Sequence, residues 1–145
     1  MPVPTSADIS AAVRRCTPFL RRTPVLQTTP GDFGLSESVT LKLESLQHTG
    51  SFKARGRLNT ALGLGVPVDG LIAASGGNHG IAVARTSRVL GVKAEIFVPG
   101  VSAPAKIARL RAQGATVNMV GEFYDDAQAA CDTRAASIDP EYPPA

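Results

Sequence analysis

From Leu71 onward the chain repeats one unit three times: a short apolar run, a turn, and a longer helical segment. Leu71-Ile72-Ala73-Ala74, Ala94 to Val98 and Thr116 to Val120 are too short for helices and read as strands. His79 to Leu90, Ala103 to Gln113 and Tyr124 to about Ala136 read as helices. Gly91 and Gly114 stand past the first two, and Pro104 holds a permitted first-turn position. Ala127, Ala130 and Cys131 are expected to face inward on the third. Strands separated by helices of this length are the mark of a parallel sheet covered by crossovers. The expected fold class is therefore α/β, a parallel sheet with crossover helices.

The first 66 residues have a different rhythm. Thr5 to Phe19 predicts an amphipathic helix, with Thr5 and Asp8 spaced as a capping box and Ile9, Ala12, Val13 and Cys16 on one face. Pro18 fits its exit. Thr23-Pro24-Val25-Leu26 is extended, because a residue before proline avoids the helical region. Pro30-Gly31-Asp32 is a turn, and Val39 to Glu44 alternates with period two, which predicts a strand showing Val39, Leu41 and Leu43 to a core. Ser51 is placed to cap a helix from Phe52 to about Leu62, with Gly63 and Gly65 as stop signals. Val66 to Gly70 then reads as a connection, dividing the chain into units 1–66 and 67–145.

Composition narrows the functional classes. With 43% hydrophobic and 19% charged residues, the chain lies in the ordinary globular range and is long enough for a core. The net charge of +3 owes much to Arg14, Arg15, Arg21 and Arg22, which alternate with apolar residues as on a solvated helix face. No aromatic stacking platform or nucleic-acid motif accompanies them, so nucleic-acid binding is not expected. Cys16 and Cys131 show neither metal-ligand spacing nor a paired framework; no metal is expected, and idle thiols fit a reducing compartment. No segment approaches the roughly 20 apolar residues that span a bilayer, and no secretory apolar region opens the chain. A cytoplasmic protein without membrane partners is the expectation.

Two stretches carry candidate chemistry. In Gln47-His48-Thr49-Gly50-Ser51-Phe52-Lys53-Ala54-Arg55-Gly56, one lysine sits just inside the start of a helix, beside the positive end of the helix dipole. An ammonium is unfavourable there unless solvent rescues it or chemistry consumes the charge. Ser75-Gly76-Gly77-Asn78-His79-Gly80 spans a strand-to-helix junction, where glycines admit a ligand to the backbone and the first helical amides favour an anion. Alone, that turn serves equally well as a tight connection, and it spells neither a P-loop nor a dinucleotide fingerprint. His79 is either an acid or base or a residue that shapes the turn; His48 reads as structural or exposed.

Together the two stretches resemble the serine/threonine dehydratase group of pyridoxal-phosphate enzymes, of the tryptophan-synthase-β-like fold type II. The resemblance runs from the first helix to about Ala130 and includes Val101 to Lys106 and Gly114-Ala115. It implies that Lys53 holds pyridoxal 5'-phosphate through an imine and that Phe52 packs against the cofactor ring. Asn78 would hydrogen-bond the ring's phenolic oxygen, and Ser75, Gly76, Gly77 and His79 would frame the substrate carboxylate. An amine attacks a carbonyl only when neutral, and burial at a helix start disfavours its charged form. An amide donates to a phenolate without bringing a competing charge.

The implied reaction is β-elimination of L-threonine or L-serine to a 2-oxo acid and ammonia, with Lys53 taking the Cα proton. Racemases that resemble this group carry a serine at the position of Gly76 as a second acid/base; glycine cannot move a proton, so racemisation is not expected. Family members are longer, and draw a glycine-rich phosphate cup and a Ser/Thr partner for the pyridine nitrogen from later segments that have no counterpart here. Residues 1–66 would then form the N-terminal part of a large cofactor-binding domain and 67–145 a small α/β domain, with Asp139 to Ala145 departing from the family's continuation. Such a protein is expected to be a homo-oligomer when full length, whereas the 145-residue chain alone is expected not to catalyse dehydration. The alternative is a non-catalytic domain of the same fold that binds an anion or a partner.

Overall fold

The computed structural model describes residues 3–66 and 69–138. In chain order it contains α1 (Ser6–Cys16), β1 (Val25–Gln27), β2 (Thr40–Lys42), α2 (Lys53–Leu64), β3 (Leu71–Ala74), α3 (Asn78–Leu90), β4 (Ala94–Val98), α4 (Pro104–Ala112), β5 (Thr116–Met119) and α5 (Tyr124–Ile138). Single 3-10 turns lie at Thr17–Phe19, Asp32–Gly34 and Glu44–Leu46. No helix among the described residues is long and apolar enough to cross a membrane.

The three repeats fold as expected. β3, β4 and β5 form a parallel sheet in that order, with Leu71 opposite Ala94 and Glu95 opposite Thr116. Because side chains alternate across a strand, each apolar run feeds two cores. Leu71, Ala73, Ile96 and Val98 pack with Ile81, Val83 and Ala84 of α3 and with Ile107 and Leu110 of α4. On the opposite face Ala74 and Phe97 meet Ala127 and Cys131 of α5, with Ala130 half-buried beside them. That double cover is why these strands read as continuous apolar runs. Ala61 of α2 joins the first core, so α2 lies along α3 and is held to the sheet.

The N-terminal unit departs from expectation in three places. First, the capping box of Thr5 and Asp8 is present, but α1 ends at Cys16, where Pro18 turns the chain into a 3-10 turn. Only Cys16 of the apolar face is buried; Ile9 and Val13 are each 58% exposed and line an open groove of about 550 Å³ with Leu20. Second, the strand expected over Val39 to Glu44 shrinks to Thr40–Lys42, paired antiparallel with Val25–Gln27. Its core-facing set is not covered: Leu41 is exposed, while Val39 and Leu43 are half-buried. A two-stranded ribbon buries an apolar face only when another element packs on it.

Third, Ser51 does not cap α2. Phe52 already has helical dihedrals (φ −65°, ψ −16°) and precedes the first helical residue, Lys53, without any side-chain cap. The Ser51 hydroxyl is buried and makes no hydrogen bond. At the other end α2 runs through Gly63 to Leu64 and stops at Gly65, whose φ of +86° suits glycine. Part of the connection expected between the units, Pro67 and Val68, lies outside the described residues, as does the segment from Asp139 to Ala145. Arg14, Arg15, Arg21 and Arg22 are exposed, as expected of a solvated face, and Arg15 Nη1 donates to Asn59 Oδ1 at 2.7 Å to tie α1 to α2.

Candidate active site

Lys53 is delivered by a loop held through side chains rather than by a strand ladder. Gln47, 3% exposed, accepts the Arg21 N–H and the His48 N–H at its Oε1, each at 3.0 Å. Its Nε2 donates to the Arg21 carbonyl at 3.0 Å, so one carboxamide clamps two chain segments. Thr49 Oγ1 donates to the Ser51 carbonyl at 3.2 Å, closing the turn before the lysine.

Two residues past the lysine, Arg55 donates from Nε and Nη2 to the two carboxylate oxygens of Glu44, at 2.7 and 2.8 Å. Thr23 Oγ1 adds a third donor at 2.5 Å. A forked guanidinium matches a carboxylate in both distance and plane, so the contact fixes orientation as well as proximity. The hydrogen bond from Arg55, reinforced by Thr23, holds the Glu44 carboxyl below its ordinary range despite its burial. Lys53 thus stands on a helix whose first turn is bolted to the β2 end.

The second stretch lies where β3 passes into α3. Ser75 Oγ accepts the Gly77 N–H at 3.3 Å, and α3 starts at Asn78 with Gly77 before it and no side-chain cap. The amides of a first helical turn have no acceptor within the helix, so they face whatever lies beyond its end. Gly80 lets the turn close: a Cβ at this position would lie 1.9 Å from the Ser75 carbonyl oxygen. Gly76 is different, since a Cβ there would meet Val98 Cγ1 at 3.5 Å and Ser102 Oγ at 3.8 Å, ordinary contact distances.

Packing of α2 on α3 brings the stretches together. His79 is half-buried, and its pKa is lowered first by burial and then by the positive charges of Arg57 and Lys53. Its imidazole is therefore neutral near neutral pH, within electrostatic reach of the lysine. Lys53 Nζ lies 5.3 Å from the centroid of the Phe52 ring. Ser75 and Gly76 are half-buried, while Gly77 and Asn78 are exposed. His48 is exposed, with a pKa lowered by partial burial, Arg85 and Arg21.

Burial of the lysine is not found. Lys53 is exposed, and so are Phe52, at 61%, and Asn78, because no element of the described chain packs over them. The expectation of a buried lysine is thus corrected: its side chain stays in contact with water.

Glu44, Gln47, Arg55 and Gly80 are positioning residues to which the sequence assigned no role. For Gly80 a signal existed, a glycine inside a helical pattern with no turn to justify it. The partner of Arg55 lies eleven residues upstream with no fixed period, and the buried state of Gln47 has no sequence mark.

Solved structures share this fold. The chain superposes on a threonine deaminase from T.th. with a TM-score of 0.81 and 41% identity, covering 93% of this chain and 43% of that one. For a maize serine racemase the TM-score is 0.80 and the identity 26%, over 90% of this chain and 40% of that one. In sequence it is 39% identical to a catabolic L-threonine dehydratase of Staphylococcus aureus over 82% of its length, and 40% identical to a putative threonine dehydratase of Sinorhizobium fredii over 83%. It spans 35% and 37% of those two relatives. Its parallel sheet and crossover helices are those of the fold type II neighbours. Residues 16–144 match the family described as pyridoxal-phosphate dependent enzyme, and the chain belongs to that family.

Proposed function

We propose that this chain carries the cofactor lysine and the substrate-carboxylate cradle of a β-eliminating enzyme, acting on L-threonine or L-serine to give a 2-oxo acid and ammonia. The unit 1–66 would be the N-terminal part of the large cofactor-binding domain and the unit 67–145 the small domain. The observation that carries the proposal is the packing of α2 on α3, which sets the lysine end of one helix beside the uncapped start of the other.

The donor set suits pyridoxal phosphate. A primary amine on a well-anchored helix, an aromatic ring beside it and an exposed carboxamide at the next helix start answer to an aldehyde, a planar ring and a phenolic oxygen. When bound, the cofactor supplies the electron sink for charge developing at Cα. Lys53 would hold its aldehyde carbon and, once freed, accept the Cα proton. Asn78 would donate to the ring oxygen, and Phe52 would pack on the ring. The first-turn amides of α3, with Ser75, Gly76, Gly77 and His79, would receive the substrate carboxylate. A neutral His79 fits that duty, since it can donate without a full charge. Gly76 carries no group to move a proton on the opposite face, which favours elimination over the racemisation named for some structural neighbours.

Cofactor labelling tests the proposal. Lys42, Lys53, Lys93 and Lys106 are all exposed, so accessibility alone would label them alike. Reduction with borohydride after addition of pyridoxal phosphate, followed by peptide mapping, should place most of the label on Lys53. Equal label on all four supports the alternative, a domain that keeps the fold without the chemistry. Ammonia release from the chain alone should not exceed that of free pyridoxal phosphate, because an exposed lysine does not hold the substrate in one orientation.

A further inference from the structure

Two surfaces on different elements are left open in complementary ways. The first is the groove of about 550 Å³ beside α1, walled by apolar carbon from Ile9, Val13 and Leu20 and rimmed by Arg21, Arg22 and Lys42. None of its lining residues is acidic. Arg22 forms no ion pair among the described residues, and Arg21 Nη1 donates only to the Leu46 carbonyl, at 3.2 Å, so neither charge is neutralised. The second is the corner between β5 and α5, where Met119, Phe123 and Tyr124 are 49%, 71% and 54% exposed. Glu122 and Asp125 stand exposed beside them, and neither carboxylate is paired among the described residues.

The corner is braced. Asp126 Oδ2 accepts the Glu122 and Phe123 N–H groups at 3.0 Å each, and the Gly100 N–H donates to the Gly121 carbonyl at 2.8 Å. Tyr124 Oη donates to Gln128 Oε1 at 2.8 Å. Aromatic side chains presented on a braced turn lose little freedom on docking, which makes them effective anchors. An aromatic pair flanked by carboxylates matches an apolar groove rimmed by cations in both hydropathy and sign of charge. One chain cannot bring the two together: α1 packs on α2 and so lies on the α3 side of the sheet, whereas the corner leads into α5 on the opposite face. We propose that the groove receives the β5–α5 corner of a second copy of this chain, with Phe123 and Tyr124 seated against Ile9, Val13 and Leu20, and Glu122 and Asp125 facing Arg21 and Arg22. The contact joins unlike surfaces, so each added copy leaves one groove and one corner free, and assembly continues with concentration unless a ring closes. It uses neither Lys53 nor the turn at 75–79 and does not depend on the activity proposed for them.

Two single variants and their mixture test this by sedimentation velocity. Val13→Glu closes the groove with an acid and keeps the corner; Phe123→Lys spoils the corner and keeps the groove. Both positions are exposed, so the fold should persist. The parent should gain mass with concentration, and each variant alone should stay a monomer. An equal mixture should form a dimer and stop there, because it holds one working groove and one working corner. Raising salt from about 0.05 M to about 0.5 M should weaken that dimer at least about fivefold by screening the rim charges. The proposal is overturned if the mixture stays monomeric while the parent assembles. It is equally overturned if Phe123→Lys alone assembles as the parent does, which would mean that two α1 faces meet each other, or if the parent is monomeric throughout, which would leave the groove to a different partner.

Discussion

Arg55 grips both carboxylate oxygens of Glu44, at 2.7 and 2.8 Å, and so fixes the helix that begins with Lys53. Glu44 is only 15% exposed in its side chain and Arg55 38%, so the pair is neither a free surface bridge nor fully removed from water. Replacing Glu44 by Gln should destabilise the chain by about 1–2 kcal/mol, discounted for the water that still reaches Arg55. Urea unfolding measures this; an unchanged midpoint would show that the fork contributes orientation without stability.

The same contact predicts a pH dependence. Glu44's folded pKa is depressed by Arg55, so the folded state favours the carboxylate. Its stabilisation is complete above the unfolded carboxyl pKa, about 4.3, and is lost as pH falls through the lower folded value. His79, also depressed, works in the same sense but higher: stability falls as pH drops below about 6.5, where the unfolded imidazole takes a proton that the folded one resists. His79→Gln should reduce the loss that sets in below about pH 6.5, leaving the share that His48 contributes through its own lowered pKa, and keep the loss below about pH 4.3. If the parent and variant curves coincide across the whole range, His79 is not held below its ordinary pKa by burial and by the charges of Arg57 and Lys53.

Two glycines of one turn should respond oppositely to a side chain. Gly80→Ala would drive its Cβ into the Ser75 carbonyl oxygen and should cost about 1–3 kcal/mol. Gly76→Ser meets only ordinary contacts and should change stability by less than about 0.5 kcal/mol. Thermal unfolding of both variants gives the comparison, and equal losses would contradict the close approach at Gly80.

Both thiols should be slow to alkylate in the folded chain. Cys131 is 2% exposed and burial pushes its pKa up to about 11, leaving almost no thiolate at neutral pH. Cys16 is 5% exposed, with its pKa also raised by burial. Mass spectrometry after iodoacetamide, with and without urea, should show modification only on unfolding; rapid native labelling of Cys131 would mean that α5 opens from the sheet.

The exposed apolar face of α1 should govern self-association. Ile9→Lys with Val13→Glu changes two residues that are each 58% exposed, so folding stability should stay within about 0.5 kcal/mol while aggregation falls. Light scattering against concentration distinguishes this from a core role, in which the double variant would unfold.

How much was legible in the sequence differs sharply between the halves. Residues 71–138 were readable because one local rule, a short apolar run followed by a helix, is satisfied by contacts within the same unit: Leu71 with Ile96, Ala74 and Phe97 with Ala127 and Cys131. Helix stops at Gly91 and Gly114 and the capping box of Thr5 and Asp8 were equally local, since each is closed by residues within about one turn. Residues 39–44 misled because alternation states which face is apolar but not whether anything covers it, and Leu41 stays exposed.

At the candidate site, the order of residues already placed Lys53 just inside the start of one helix and Asn78 in the turn that leads into another, a matter of turn chemistry and spacing. Tertiary structure decided what neither stretch contains: that α2 lies along α3, that Arg55 reaches back to Glu44, and that His79 loses basicity through burial and then through the charges of Arg57 and Lys53. It also decided that Lys53 remains in water, because burial depends on which surfaces meet across the chain and local sequence carries no record of that.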